Sequence, residues 1–381
     1  MIAVSRCVSM PCIAGQGKGL YVWPRFCLPF PSRRPGRVRF IAGRGATTPE
    51  PPRPMPADPA RAPDPHPIPA LPRLRVLLAA PRGFCAGVDR AVRVVEEALK
   101  CHGAPVYVRH EIVHNRVVVG ALAAQGAVFV EELDAVPVGA RVVFSAHGVA
   151  KSVPLAAAAR GLVAFDATCP LDSKVHREAE RHAAAGRHIL MIGHAGHPEV
   201  EGTMGQVRPG AMTLVQSAAE AQTVMPPPGP LAFVTQTTLS VEDAAGIVAV
   251  LRRRFPAIEG PAKEDICYAT TNRQAAVRAV AAEAALVLVL GSANSSNTVR
   301  LCEVAGRAGA RALLLEGPEA LDWSMLHGET VVGITAGASA PESLVQGLLA
   351  RLGERYALAV EERRVTTEDV TFKLPAALSA A

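Results

Sequence analysis

The sequence predicts an α/β fold of three small parallel-sheet domains behind a disordered N-terminal extension. Three observations predict it. From residue 74 onward, short apolar runs alternate with helical segments, the pattern of parallel sheets covered on both faces. Each run ends in a small, polar turn, and most turns lead into an Ala-rich helix. The blocks recur at a spacing that divides the body into units of ordinary domain size: 73–169, 170–266 and 267–348, followed by a tail, 349–381, that packs back on the body.

The extension comes first in the chain. Residues 1–72 hold 16 of the 32 prolines and ten Lys/Arg against three Asp/Glu, a local charge of +7 that leaves −1 for the rest of the +6 protein. The body is therefore close to neutral, which argues against a nucleic-acid partner, since that needs a cationic folded surface. Between 49 and 72 the prolines remove backbone donors and favour an extended, solvated chain. Two readings of the extension stay open. Its Arg-rich, acid-poor composition fits a transit peptide, which would send the protein to a plastid. Few serines and no clear amphipathic helix fit instead a dispensable tail or an upstream start, with a bacterial cytoplasmic protein behind it. No apolar run approaches the roughly 18 residues of a spanning helix, so no membrane is expected.

The body opens with RVLLAA at 75–80, a short buried strand. Residues 88, 91, 92, 95, 98 and 99 are then apolar, the 3.6-residue period of an amphipathic helix. The same alternation repeats along the chain. Strands over 142–145, 162–165, 189–192, 231–234, 286–290 and 331–334 end respectively in AHG, DATCP, GHAGHPE, TQTT, GSANSSN and TAGAS. Ligands of parallel sheets bind at the carboxyl ends of the strands, and every unusual polar cluster here sits at such an end. Three domains turning those ends toward a common centre would form one enclosed site. A single large open sheet is the alternative.

Eight cysteines occur, at 7, 12, 27, 85, 101, 169, 267 and 302. Cys101 and Cys302 fall in or beside helices and read as small buried hydrophobes. Cys85, Cys169 and Cys267 differ, because each stands in a strand-to-helix turn, one per unit: PRGFCAG, DATCPLDSK and DICYATTNRQ, the last before a helix over 274–283. Helix N-termini favour the thiolate, the form that ligates metal. Soft ligands leave zinc or an iron–sulfur cluster. A structural zinc site would show a fourth ligand and short C-x-x-C pairs, which are lacking. A [4Fe–4S] cluster on three cysteines would keep one iron open; the plain alternative is that three unpaired cysteines are simply buried in turns, where cysteine is common.

Beside the cysteines stand His114 in HEIVHNR, His147 in FSAHG, and His194, His197 and Glu199 in GHAGHPEVEGTMGQ. Thr237 lies in TQTTLS, Ser295, Ser296 and Asn297 in GSANSSN, and Ser339 in TAGAS. Neutral donors and imidazoles at glycine-flanked strand ends suit a small phosphate-type anion. No P-loop motif occurs. Plainer readings exist for each. His102, His176, His182 and His188 are read as core or surface residues. Ser295–Asn297 would serve equally as a helix cap, and Glu199 as a first-turn carboxylate facing a helix dipole. In a closed pocket Glu199 would instead keep its proton and act as an acid, with His197 and Thr237 passing protons to it.

PRGFCAGVDRAV, HEIVHNRVVV, FSAHGV, DATCPL, GHPEVEGTMGQ, TQTTLSVED, DICYATTNRQ, NSSNT and TAGASAP together resemble the 4-hydroxy-3-methylbut-2-enyl diphosphate reductase family, in order from about residue 74 to about 348. The resemblance implies three α/β domains around a central iron–sulfur site. Cys85, Cys169 and Cys267 would ligate a [4Fe–4S] cluster whose fourth iron binds the substrate hydroxyl. His114, His147, His197, Ser295, Ser296, Asn297 and Ser339 would bind the substrate, mostly through its diphosphate. Thr237 would contact the hydroxyl and Glu199 would supply protons. The reaction implied is reductive dehydroxylation to isopentenyl and dimethylallyl diphosphate, the last step of the methylerythritol phosphate route. No flavin or nicotinamide fingerprint is present, so electrons would come from a ferredoxin or flavodoxin. A hydratase or dehydratase, and a non-catalytic phosphate or iron sensor, are the rival readings.

Overall fold

A computed structural model of the chain describes residues 71–379, so the readings made for residues 1–70 lie outside the described residues. Strand β1 (Arg73–Ala80) leads into helix α1 (Ala86–His102). There follow β2 (Val106–Arg109), α2 (Arg116–Ala124), β3 (Ala127–Val130), β4 (Arg141–Phe144), α3 (Ser152–Ala159) and β5 (Val163–Asp166). A second run comprises α4 (Pro170–Ala184), β6 (His188–Ile192), α5 (Pro198–Met204), β7 (Met212–Val215), α6 (Ala218–Thr223), β8 (Leu231–Thr235) and α7 (Val241–Arg254). The third comprises α8 (Tyr268–Ala281), β9 (Leu286–Leu290), α9 (Ser296–Arg307), β10 (Arg311–Leu315), β11 (Val331–Ala336), α10 (Glu342–Gly353), β12 (Ala357–Arg364) and α11 (Ala376–Ser379).

These strands form three parallel sheets, ordered β3-β2-β4-β5, β7-β6-β8 and β10-β9-β11-β1-β12. Successive strand residues point to opposite faces, and the cores divide accordingly. In the third sheet Leu74, Val76, Leu78, Leu286, Leu288 and Leu290 pack with Leu344, Val345, Leu348 and Leu352 of α10. Leu77, Ala79, Val287 and Val289 face the other way, onto Val277 and Val280 of α8 and Leu301 and Val304 of α9. Both faces are covered, which is why these strands read as unbroken apolar runs rather than alternating ones. In the second sheet Leu190 and Ile192 face α7, while Ile189 and Met191 face α4 and α5.

Sheet membership crosses the contiguous boundaries expected from sequence. β1, grouped there with 73–169, pairs instead with β11 and β12, placing Val76 opposite Val332 and Val360. Strand pairing is set by burial of a two-faced apolar strand, not by nearness in sequence, and β1 contributes to the cores on both faces of that sheet. The C-terminal residues divide between two places. β12 adds an edge strand beside β1, and Leu378 of α11 enters the core of the first sheet with Val106, Val108 and Phe165. Among the described residues no helix is long and apolar enough to cross a membrane.

Candidate active site

The carboxyl ends of the three sheets surround one cavity. It encloses about 730 Å³ of atom-free space, part of it open to solvent, and Cys85, His114, His147, Cys169, His197, Glu199, Thr237, Cys267, Ser295, Ser296, Asn297 and Ser339 all line it. Of the polar residues and turn cysteines singled out in the sequence, all but one are therefore brought together. His194, from the same turn as His197, is not among the lining residues; its backbone N–H donates to Gln236 Oε1 at 3.0 Å.

The cysteines occupy equivalent places. Cys85 caps α1, its sulfur accepting the Val88 N–H at 3.5 Å, and Cys267 caps α8, its sulfur accepting the Thr270 N–H at 3.4 Å. Cys169 precedes α4, which Pro170 starts without a side-chain cap, because Pro has no N–H to lose and its φ suits a first turn. Gly87 is required between them: a Cβ there would lie 2.6 Å from Cys169 Sγ and 3.8 Å from Cys85 Sγ. The expected thiolate stabilisation is outweighed. Burial pushes all three thiols up, Cys267 to about 12, against the helix-start N–H groups and, at Cys85, the opposing Arg273 guanidinium. The metal-free thiols thus hold their protons and must release them on ligation. Among the described residues no three His, Cys, Asp or Glu side chains converge as ligands of a single metal ion.

Across the cavity three imidazoles face one another. The His114 and His147 rings stack at 4.2 Å between centroids, and His197 meets them edge-on at 5.6 and 5.7 Å. Burial, then neighbouring imidazoles, lowers His147 well below the usual histidine range and His197 to about 3. Both are neutral at pH 7. His197 Nδ1 accepts the Glu199 N–H at 3.2 Å, so in the neutral ring Nε2 carries the hydrogen. His114 Nδ1 is held by Glu111 Oε2 at 3.0 Å. The buried His147 Nδ1 and Asn297 Nδ2 have no hydrogen-bond partner. Buried polar atoms are rarely left so without an occupant to meet.

Ser295, Ser296 and Asn297 sit at the start of α9, and Ser339 in the turn between β11 and α10. Ser295 caps that helix by accepting the Thr298 N–H at 3.4 Å, so the plain capping reading holds alongside cavity lining. Asn297 Oδ1 accepts the Ala338 N–H at 2.9 Å, and Ser339 Oγ donates to the His114 carbonyl at 2.9 Å. Ser296 Oγ accepts from Thr238 Oγ1 at 3.2 Å. These bonds join the turns after β8, β9 and β11 to the segment before α2.

Glu199 stands in the first turn of α5, where the plain reading put it, and is 1% exposed. Its Oε1 accepts the Thr237 N–H at 2.5 Å. Burial and the nearby Asp172 push its carboxyl well above the usual range, and burial raises Asp172 itself to about 7. The Thr237 side chain beside the two carboxyls acts on both in the opposite sense, lowering each somewhat. Two buried carboxyls this close do not both ionise at neutral pH. Asp172 was missed in the sequence. Its position in the first turn after Cys169 was the available signal, but an acid there reads by default as a dipole partner.

Comparisons with known proteins identify the family. The family described as LytB protein matches residues 76–353. The 4-hydroxy-3-methylbut-2-enyl diphosphate reductase of Gluconobacter oxydans is 66% identical over 312 residues, 80% of this chain and 93% of that protein. A solved structure of the Plasmodium falciparum E-1-hydroxy-2-methyl-but-2-enyl-4-diphosphate reductase superposes with a TM-score of 0.77 at 36% identity, over 81% of this chain and 97% of that one. A second, titled as (E)-4-hydroxy-3-methyl-but-2-enyl diphosphate reductase, the terminal enzyme of the non-mevalonate pathway, gives 0.54 at 30% identity, over 74% of this chain and 99% of its own. The family resemblance read from the nine motifs holds across the body, and the chain belongs to the LytB family of 4-hydroxy-3-methylbut-2-enyl diphosphate reductases.

Proposed function

We propose that the protein reductively dehydroxylates 4-hydroxy-3-methylbut-2-enyl diphosphate to isopentenyl and dimethylallyl diphosphate, using a [4Fe–4S] cluster on Cys85, Cys169 and Cys267. One observation carries the reading: three cysteines from separate strand-to-helix turns share a cavity with three imidazoles and a proton-holding carboxyl. The donor set fits the cluster. Three soft sulfur donors from three turns line one cavity, and Gly87, where a Cβ would meet two of those sulfurs, leaves space between them. When bound, the cluster supplies electrons one at a time and a Lewis-acidic iron.

The chain's own residues do the rest. The reaction consumes two electrons and two protons: the allylic C–O bond breaks, water leaves, and a C–H bond forms. Hydroxide is a poor leaving group, so a proton must reach the hydroxyl as it departs. Glu199, protonated by burial and by Asp172, holds that proton, and the Thr237 hydroxyl beside it passes it on. The diphosphate is met by His197 Nε2–H, the His114 and His147 rings, the Ser295, Ser296 and Ser339 hydroxyls and the unpartnered Asn297 Nδ2. Water exclusion follows from the burial of Glu199, Thr237 and Asn297, at 1%, 3% and 4% exposure.

The electrons come from a ferredoxin or flavodoxin in a reducing compartment such as the bacterial cytoplasm. The test is an anaerobic assay with the hydroxylated allylic diphosphate and a strong one-electron donor. Reductant-dependent formation of both products supports the reading. Turnover without reductant would point to a hydratase, and binding without turnover to a sensor.

A further inference from the structure

Arg273 is fully buried, at 0% exposure, and is the largest such side chain among the described residues. It lies on α8, less than two turns beyond Cys267. All five of its guanidinium N–H groups are used. Nε donates to the Gly83 carbonyl at 3.0 Å and Nη2 to the Phe84 carbonyl at 3.1 Å, in the two residues preceding Cys85. Nη1 donates to the Ala269 carbonyl in the first turn of α8 at 3.0 Å. The remaining hydrogens engage Glu368, from Nη1 to Oε1 at 3.0 Å and from Nη2 to Oε2 at 3.3 Å. Asn272 Nδ2 also donates to Glu368 Oε1, at 3.0 Å. Glu368 lies between β12 and α11, and its side chain is 14% exposed.

A planar fork of five donors in fixed directions is the one side chain that can hold two loop carbonyls, a helix carbonyl and a carboxylate together. Packing alone would be better met by an apolar residue, since a buried ion pair is costly to desolvate. Here the pair spans the turn of one cysteine and the helix of another. Its third attachment is a segment nearly one hundred residues further along the chain.

We propose that Arg273 and Glu368 form a positioning pair that fixes the Cys85 turn against the Cys267 helix, making the segment after β12 part of the cluster-holding apparatus. This rests on the cluster reading above. The pair has two separable effects. The fork sets the relative placement of two sulfurs. The guanidinium also puts a fixed positive charge beside them, which the carboxylate offsets. Removing the offset favours the reduced cluster, because reduction adds negative charge next to a less compensated cation.

The test uses the anaerobically reconstituted full chain, with iron and acid-labile sulfide per chain, reduction potential by dye titration, and thermal melting measured together. Glu368→Gln, which keeps an acceptor and removes the charge, should melt as a single transition, load cluster, and shift the potential to a more positive value. Arg273→Lys keeps the charge but not the fork, and should load severalfold less iron and sulfide than wild type. If Arg273→Lys does not fold, the potential of Glu368→Gln decides. An unchanged potential in Glu368→Gln, or full loading in a folded Arg273→Lys, overturns the proposal. A wild-type chain that takes up no iron and sulfide overturns the cluster reading itself, and is thereby distinguished from failure of the pair.

Discussion

Glu199 Oε1 accepts the backbone N–H of Thr237 at 2.5 Å, binding the start of α5 to the turn after β8 at the floor of the cavity. The bond ties the acid to the residue that relays its proton, and burial keeps the carboxyl protonated well above its usual range. Glu199→Gln preserves the shape and this contact but carries no transferable proton. Turnover should fall by about 10²-fold or more, the range for a positioned acid, while cluster content and substrate affinity stay near wild type. Near wild-type turnover in an anaerobic steady-state assay would remove Glu199 from the role.

Asp172 provides a stability signature with a definite sign. Its carboxyl rises on folding from an ordinary value to about 7, chiefly by burial. The folded state therefore holds a proton that the unfolded state has already lost. Stability contributed by that proton is complete at low pH and is lost progressively between about pH 4 and about pH 7. Asp172→Asn should raise the melting temperature of the cluster-free protein by several degrees at pH 8 and little at pH 4.5. An equal shift at both values would contradict the linkage.

The histidine cluster predicts proton uptake. His147 and His197 are neutral in the free protein, held down by burial and by neighbouring imidazoles. A bound diphosphate adds negative charge beside them and raises their affinity for protons. Calorimetric titration with the diphosphate near pH 6.5, in two buffers of different ionisation enthalpy, should show uptake of about one proton per site. His147→Asn should reduce it. Buffer-independent heats would show that the imidazoles stay neutral in the complex and would contradict the prediction.

Gly87 predicts a steric effect on the cysteines without a change of fold. An added Cβ would fall 2.6 Å from Cys169 Sγ, inside van der Waals contact, and the neighbouring turns are held by their own hydrogen bonds. Gly87→Ala should lose at least half of the iron and sulfide while its circular dichroism stays that of wild type. Full loading would show that the two turns move apart freely.

The sequence was most legible where burial makes a strand uniformly apolar. Leu286–Leu290 is fully buried along its length and its bounds coincide with the expected ones. β12 went unseen because its ALAVEERR pattern is that of an exposed edge, with charges on residues that pair only with β1. β2, β3, β7 and β10 went unread as well; the first three are only four residues long, too short for periodicity to distinguish from a turn. α8 starts at Tyr268, ahead of the expected 274, because Cys267 caps it and offsets the poor helix propensity of Thr270 and Thr271. The cavity was legible because its residues stand in small polar turns straight after buried strands. Asp172 and the Arg273–Glu368 pair were not, since each depends on contacts between distant segments that no local pattern announces.

The central claim is that three sulfurs from three turns hold an iron–sulfur cluster. Its most direct test is chemical analysis of iron, zinc and acid-labile sulfide in anaerobically purified protein, wild type beside Cys169→Ser. The expected result is about four irons and four sulfides per chain in the wild type, as a [4Fe–4S] cluster requires, with most of both lost in the variant. Stoichiometric zinc without labile sulfide would contradict it.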